Sequence, residues 1–223
     1  MSGGFQRARR PEQIEVRRTA ILAAARELLA ERPVAEISLR ELSCRVGLAK
    51  SNVLRYFDSR EAIFLEVLDT TWTDWLSSLE ESLADPGAAE PGFAREERLA
   101  GTLATSLAER PLLCDLVSSM GSVLERNISL EFARSFKRRA AANTERLGGL
   151  VRKRIPELSA EGAAHFAGAV VVVVSGLWPY ANPTDAVAAA AAELGGPPAD
   201  ELFTTALAEG LTNLLAGLVA RGR

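Results

Sequence analysis

The apolar residues of this chain recur at helical spacing in segments that restart after each proline or glycine cluster, and they nowhere alternate in the two-residue period of a strand. The stretch "EVRRTAILAAARELLAER" sets the pattern. Ile14, Ile21, Leu22, Ala25, Leu28 and Leu29 fall on one stripe, and Pro33 ends it. A long helix is predicted from Ser59 to about Ala84, closed by "DPGAAEPG", followed by one from Phe93 to Glu109. Pro111 suits the first position of the next helix, which ends near Gly121. After the short "SVLERN" segment, a long amphipathic helix ends at Pro156, and Ser159 opens a valine-rich one running to Tyr180. Asp185–Leu194 reads as a short helix, Gly195–Pro198 as a turn, and Asp200 as the cap of a last helix to Val219. No internal repeat is visible. The chain is expected to be all-α, with about nine or ten helices.

One segment departs from this plain packing logic. "SLRELSCRVG" opens with a capping box, in which Ser38 can accept from the Glu41 amide while Glu41 reaches back to Ser38. Leu39, Leu42 and Val46 face inward, and Gly47 suits the position just past a helix end. Three residues later "KSNVLRYF" begins. On a helix, Val53 and Phe57 share one face while Lys50, Ser51, Asn52 and Arg55 lie off it. Two short helices joined by a glycine turn outline a helix-turn-helix. Its second helix divides as a groove reader must, apolar behind and donors in front. Arg can read guanine O6/N7 and Asn adenine N6/N7 in the major groove. Without its neighbours, the same polar set would read as a solvated helix face.

Charge points the same way. Residues 1–60 hold 12 Lys+Arg against 7 Asp+Glu, a net of +5, whereas residues 61–223 hold 14 against 22, a net of −8. A basic head on an acidic body suggests a polyanionic partner. The apolar fraction of 48% suffices for a sizeable core. Cys44 and Cys114 show no metal-ligand or CxxC spacing and read as cytosolic thiols. No apolar h-region of a signal peptide follows the basic N-terminus. The longest apolar run, residues 163–178, contains His165, falls short of a membrane span and ends at Pro179, so a buried helix is expected.

Residues 14–68 resemble the N-terminal DNA-binding domain of the TetR family of transcriptional regulators. The likeness rests on the helix ending in "ELLAER" and on "ISLRELSCRVGLAKSNVLRYFDSREAIFLEVL", with Gly47, Leu48, Ala49, the Tyr56–Phe57 pair, Ser59 and Arg60 at the family's positions. The resemblance covers about a quarter of the chain. It implies that Ser38 and Tyr56 contact phosphate, with Arg60 or its helix N-terminus adding another contact. It implies further that Arg40, Ser51, Asn52 and Arg55 face the major groove and that Lys50 binds phosphate or a base edge. Arg7, Arg9 and Arg10 either enter the minor groove or form a tail. Ala49 stands where the family often has a capping Ser or Thr, and Leu54 where an aromatic is common.

The resemblance implies three parts: a flexible basic arm (1–13), a helix-turn-helix domain (14–60) and a helical effector-binding and dimerisation domain (61–223). It also implies a homodimeric repressor, paired through its last two long helices, that leaves a palindromic double-stranded DNA operator when a small-molecule effector binds. Pocket candidates are Trp72, Trp75, Met120, Phe136, His165 and Trp178, with Leu79, Leu116, Leu124 and Phe132 behind them. Each also reads as ordinary core, and His165 is expected to be buried and hydrogen-bonded. The expected location is cytoplasmic, with no membrane contact and no cofactor. A single histidine and the absence of HExxH, GxSxG and Walker motifs argue against an enzyme. The alternative is a helical carrier or sensor of hydrophobic ligands that does not act through DNA.

Overall fold

The computed structural model describes residues 11–83, 92–195 and 199–222. Arg7, Arg9 and Arg10 of the basic arm lie outside the described residues, as do almost all of the break at 85–92, residues 196–198 of the last turn and the side chain of Asp200. Among the described residues the chain is all-α: ten α-helices, two single turns of 3₁₀ helix and no strand.

Helix α1 (Pro11–Glu31) starts three residues before Ile14, the expected boundary. A proline at the first helical position loses no hydrogen bond, and Glu12 in the first turn suits the positive end of the helix dipole. A 3₁₀ turn at Val34–Glu36 leads to α2 (Leu39–Arg45) and α3 (Lys50–Val53). Helix α4 (Arg60–Ser82) follows, its first turn capped by Ser59 Oγ, which accepts from the Ala62 amide at 3.1 Å. Ile21, Leu28, Leu42, Val53, Phe57 and Phe64 close the core between these four helices, all at most 5% exposed. Burying side chains of this size contributes roughly 1.5–3 kcal/mol each.

Helices α5 (Ala94–Ala108), α6 (Pro111–Met120), α7 (Leu130–Arg154), α8 (Ala160–Ala181), α9 (Asp185–Glu193) and α10 (Ala199–Ala220) complete the chain. Pro111 occupies the start of α6, and Ser159 Oγ caps α8 by accepting from Gly162 at 2.9 Å, both as expected. Helix α4 is shared: it packs on α1 at one end and on α6 and α7 along its length. Helix α8 lies on α6, α7 and α10, and α10 lies on α5. Gly148 of α7 permits the α7–α8 approach, since a Cβ there would sit 3.3 Å from the carbonyl oxygen of Ala163.

The buried reading of the valine-rich run is corrected in part. Helix α8 is 22 residues long, and α8 and α10 are both long and apolar enough to cross a membrane by length and composition alone. Only 33% of the most apolar window of α8 is buried, and 28% of that of α10. Val172 and Tyr180 are 71% and 75% exposed. Helix α9 buries no residue at all.

Candidate nucleic-acid interface

The second and third helices are set by their ends. At the start of α2, Ser38 Oγ accepts from the Glu41 amide at 3.2 Å and the Glu41 carboxylate accepts from the Ser38 amide at 3.1 Å, the reciprocal box expected. The Arg32 guanidinium also pairs with Glu41, and this hydrogen bond, more than any other cause, holds the carboxyl below its usual range. At the end of α2, Gly47 adopts φ +65°. Its amide donates to the Cys44 carbonyl at 3.1 Å and the Leu48 amide to the Ser43 carbonyl at 2.9 Å, which is a Schellman closure. The turn direction between α2 and α3 therefore depends on one left-handed residue.

Helix α3 is shorter than expected. Only Lys50–Val53 is α-helical, and no side chain caps it at Ala49. The chain then tightens, with Arg55 N–H donating to Asn52 and Tyr56 N–H to Val53 in i→i+3 fashion. The division of faces survives this tightening: Val53 and Phe57 are buried, while Lys50, Ser51, Asn52 and Arg55 are exposed. Leu54 is exposed beside them at 44%.

The arginines of this region separate into two groups. Arg18 approaches Glu66, Arg26 Asp74, Arg32 Glu41, Arg45 both Glu27 and Glu31, and Arg60 Glu61. Arg40, Lys50 and Arg55 are exposed and form no ion pair among the described residues. Among the described residues, three of this region's cations without a carboxylate partner thus lie on α2 and on the segment of α3 and its C-terminal turn, and exposed Arg17 on α1 is a fourth.

Arg60 is not among these cations. Its Nη1 donates to the Ile37 carbonyl at 2.7 Å, Nε donates to Glu61 at 3.0 Å, and its plane lies over Phe64 at 5.8 Å. Its guanidinium is held against the fold by these contacts. Ser38 is exposed, but its hydroxyl is committed to the capping box. Tyr56 is half-buried beside a groove that Arg17 also lines. Arg17 is an exposed cation next to the expected phosphate contact, and sequence reading missed it because it lay on the polar side of α1 among several arginines.

Behind the helix-turn-helix, five helices line a partly open apolar cavity of about 20 Å³. It is lined by Trp72 and Trp75 of α4, Leu107 of α5, Leu113 and Val117 of α6, Leu147 of α7, and Val170, Val171 and Val174 of α8. Two of the six expected pocket residues, Trp72 and Trp75, are there. Phe136 is buried elsewhere in the core, Met120 is half-buried at the end of α6, and Trp178 stacks edge-on to Phe203 at 5.0 Å. His165 is exposed, not buried. It stands nine residues before Val174, about 180° around the helix, and so faces away from the cavity. Cys114 is buried, which pushes its thiol up to about 12 and keeps it neutral, with the charge of Asp115 adding to the effect. Among the described residues no three His, Cys, Asp or Glu side chains gather as a metal site.

A short polar helix presented on a capped partner, backed by its own core and joined to a larger helical body, defines a helix-turn-helix DNA-binding transcriptional regulator. Residues 21–67 match the profile of bacterial regulatory proteins of the tetR family, and residues 69–222 match that of the tetracyclin repressor-like C-terminal domain. The chain belongs to the TetR family. A 53-residue segment is 43% identical to the HTH-type transcriptional regulator EthR of Mycobacterium tuberculosis; it spans 24% of this chain and 24% of that protein's length. The fold is similar to a TetR transcription regulator from Haloarcula marismortui (TM-score 0.55, 15% identity, covering 92% of this chain and 98% of that one). It is also similar to the regulator FadR from Bacillus subtilis, solved in complex with stearoyl-CoA (TM-score 0.53, 15% identity, 89% and 97%). At such identities these structures show the fold alone.

Proposed function

We propose that this chain is a cytoplasmic homodimeric repressor, which holds a two-fold symmetric operator through the outer faces of two α2–α3 pairs and leaves it when a small molecule occupies the apolar cavity. The observation that carries the reading is the separation of cations described above. An exposed arginine or lysine with no carboxylate partner can neutralise a phosphate or meet a base edge without first breaking an ion pair. Asn52 and Arg55 are the base-reading candidates, with Arg40, Lys50 and Ser51 around them and Arg17 and Tyr56 on the backbone side. In this reading residues 14–60 meet DNA and residues 61–223 bind effector and partner.

Dimerisation is supported by the apolar surface that α8 and α10 leave open. Two heads on one operator mirror its symmetry, and one head alone would bind weakly. The effector acts by population shift: it binds better to an arrangement of the heads that misses successive major grooves. The protein works by binding and carries out no catalysis.

The test is a gel-shift titration against the promoter fragments flanking its own gene at two salt concentrations. A sequence-specific complex that weakens with salt is expected, and Asn52→Ala or Arg55→Ala should each remove roughly 1–3 kcal/mol of discrimination. A wild-type protein that binds all fragments alike, or none, would sink the reading.

A further inference from the structure

A second pocket, of about 120 Å³, lies at the far end of the body and shares no residue with the apolar cavity. Ser82 and Leu83 bring the C-terminal end of α4 to it, 22 residues or roughly 30 Å along that helix from Arg60. Leu83 and Leu99 are buried and make its apolar part. Its polar part holds three guanidinium groups: Arg95 and Arg98, one turn apart on α5, and Arg154 in the last turn of α7. Among the described residues no carboxylate lines it.

The hydroxyls of the pocket are already spent as donors. Ser82 Oγ donates to the Ser78 carbonyl and Thr102 Oγ1 to the Arg98 carbonyl, both at 2.9 Å. Donors for a ligand therefore come from the arginines. Arg95 is aimed by Glu157, to which its Nη2 donates at 2.8 Å. Arg154 is half-buried, and it forms no hydrogen bond or ion pair among the described residues. A guanidinium so placed has given up part of its water and gained no acceptor, which is costly unless an anion joins it.

The geometry points to a second ligand site, in which the arginines where α4, α5 and α7 end together receive a phosphoryl group. A carboxylate offers two oxygens in one plane and a single charge, which one guanidinium fork satisfies. A phosphoryl group offers three oxygens on a tetrahedron and up to two charges at neutral pH, so it can meet forks arriving from different helices. The pocket is partly open, so free phosphate and the phosphate end of a larger molecule both fit. The site is separate from the proposed effector cavity, and its test does not depend on that cavity.

The experiment uses the full chain and three probes: inorganic phosphate, phenyl phosphate and benzoate. Dissociation constants are measured by calorimetry at one fixed ionic strength, because salt screens exposed charges. The phosphate probes should bind wild type at about 1 mM or tighter. Arg154→Gln removes a charge-assisted partner and should weaken both about tenfold or more. Arg152→Gln, an exposed neighbour in the same turn that does not line the pocket, should change them less than twofold. Tighter binding of phenyl phosphate than of inorganic phosphate identifies the phosphate end of a larger molecule, and the reverse order identifies free phosphate; either order supports the site. Benzoate binding as well as phenyl phosphate overturns the phosphoryl assignment. No binding of either phosphate probe, or equal losses in Arg154→Gln and Arg152→Gln, overturns the site. If Arg154→Gln does not fold, Arg154→Lys keeps the charge but not the fork, and it should still weaken both phosphate probes; wild-type affinity in that variant overturns the inference.

Discussion

Asn127 and Glu61 meet across the seam between the helix-turn-helix and the body. The Asn127 amide donates to Glu61 Oε2 at 3.1 Å, while Glu61 Oε1 receives Arg60 at 2.7 Å. Glu61 is only 7% exposed and lies four residues past Phe57, in the first turn of α4. Two residues beyond Asn127, Ser129 donates to Asp58 and caps α7 by accepting from the Phe132 amide at 3.1 Å. Further along α7, Arg139 pairs with Glu66 at 3.2 Å and with Asp69 at 2.7 Å. Glu66 also lies 4.0 Å from Arg18, which donates to the Tyr56 carbonyl. The segment that follows α3 is therefore tied to α7 and its N-cap at two levels, and α7 contributes Leu147 to the cavity wall.

Replacing Asn127 by alanine should expose how much this seam matters. Glu61 Oε2 would lose its partner while staying buried, and an unsatisfied buried acceptor costs about 1–3 kcal/mol. For a chain of this size that corresponds to a fall of several degrees in melting temperature, about 2–4 °C per kcal/mol. Operator affinity should fall as well, because the α4 N-terminus is no longer anchored. An Asn127→Ala protein with wild-type melting and wild-type operator affinity would show that the seam is not a structural joint.

The ends of α2 and α3 make opposite predictions. Gly47→Ala forces a Cβ into a left-handed conformation, at about 1–2 kcal/mol. No neighbouring atom lies within 4 Å of that Cβ, so the loss should come from the backbone alone. Ala49→Ser offers α3 the N-cap side chain it lacks, and should stabilise by about 1 kcal/mol. Urea unfolding of both variants reads the two signs directly. A neutral Gly47→Ala would mean that the turn can close in another conformation.

These two positions also show what could be read from the sequence and what could not. The capping box, the C-terminal glycine of α2 and the missing cap at Ala49 are local signals, because each is fixed by residues within three or four places of one another. The buried face of Val53 and Phe57 follows from helix period in the same way. The extent of α3 did not follow, because the uncapped helix tightens after four residues. The contacts of Arg60 did not follow either, because its partners Ile37 and Phe64 depend on how α4 folds back on the first helices. The cavity was half legible: aromatic content pointed to Trp72 and Trp75, but His165 and Trp178 were assigned without knowing the phase of α8 against its neighbours. Sequence period fixes which residues share a face, and only packing fixes where that face points.

Acid should loosen the start of α2 before it touches the core. The Glu41 carboxyl is held below its ordinary range chiefly by the hydrogen bond from Arg32, and then by that from the Ser38 amide. A depressed folded-state value contributes stability that is full above the unfolded carboxylate range and is lost as pH falls through the folded value. Urea midpoints measured downward from pH 5 should therefore decline more steeply in wild type than in Glu41→Gln, which keeps an acceptor for the Ser38 amide but cannot titrate. Parallel declines would assign the acid sensitivity to other carboxylates.

The exposed faces of α8 and α10 are where the proposed dimer can be tested. Val172 is 71% exposed in the middle of an apolar helix, and only 28% of the matching window of α10 is buried. A charge at Val172 costs the isolated chain little, because that position already faces water. In a dimer that covers it, the same charge is buried without a partner, at a cost of several kcal/mol. Val172→Asp should therefore keep wild-type helicity by circular dichroism and sediment at half the wild-type mass. Its operator affinity should fall steeply, since two linked heads gain from effective concentration and a single head does not. A Val172→Asp protein that still sediments as a dimer would place the interface off this face of α8. A wild type that sediments as a monomer at micromolar concentration would remove the dimer from the proposed mechanism altogether.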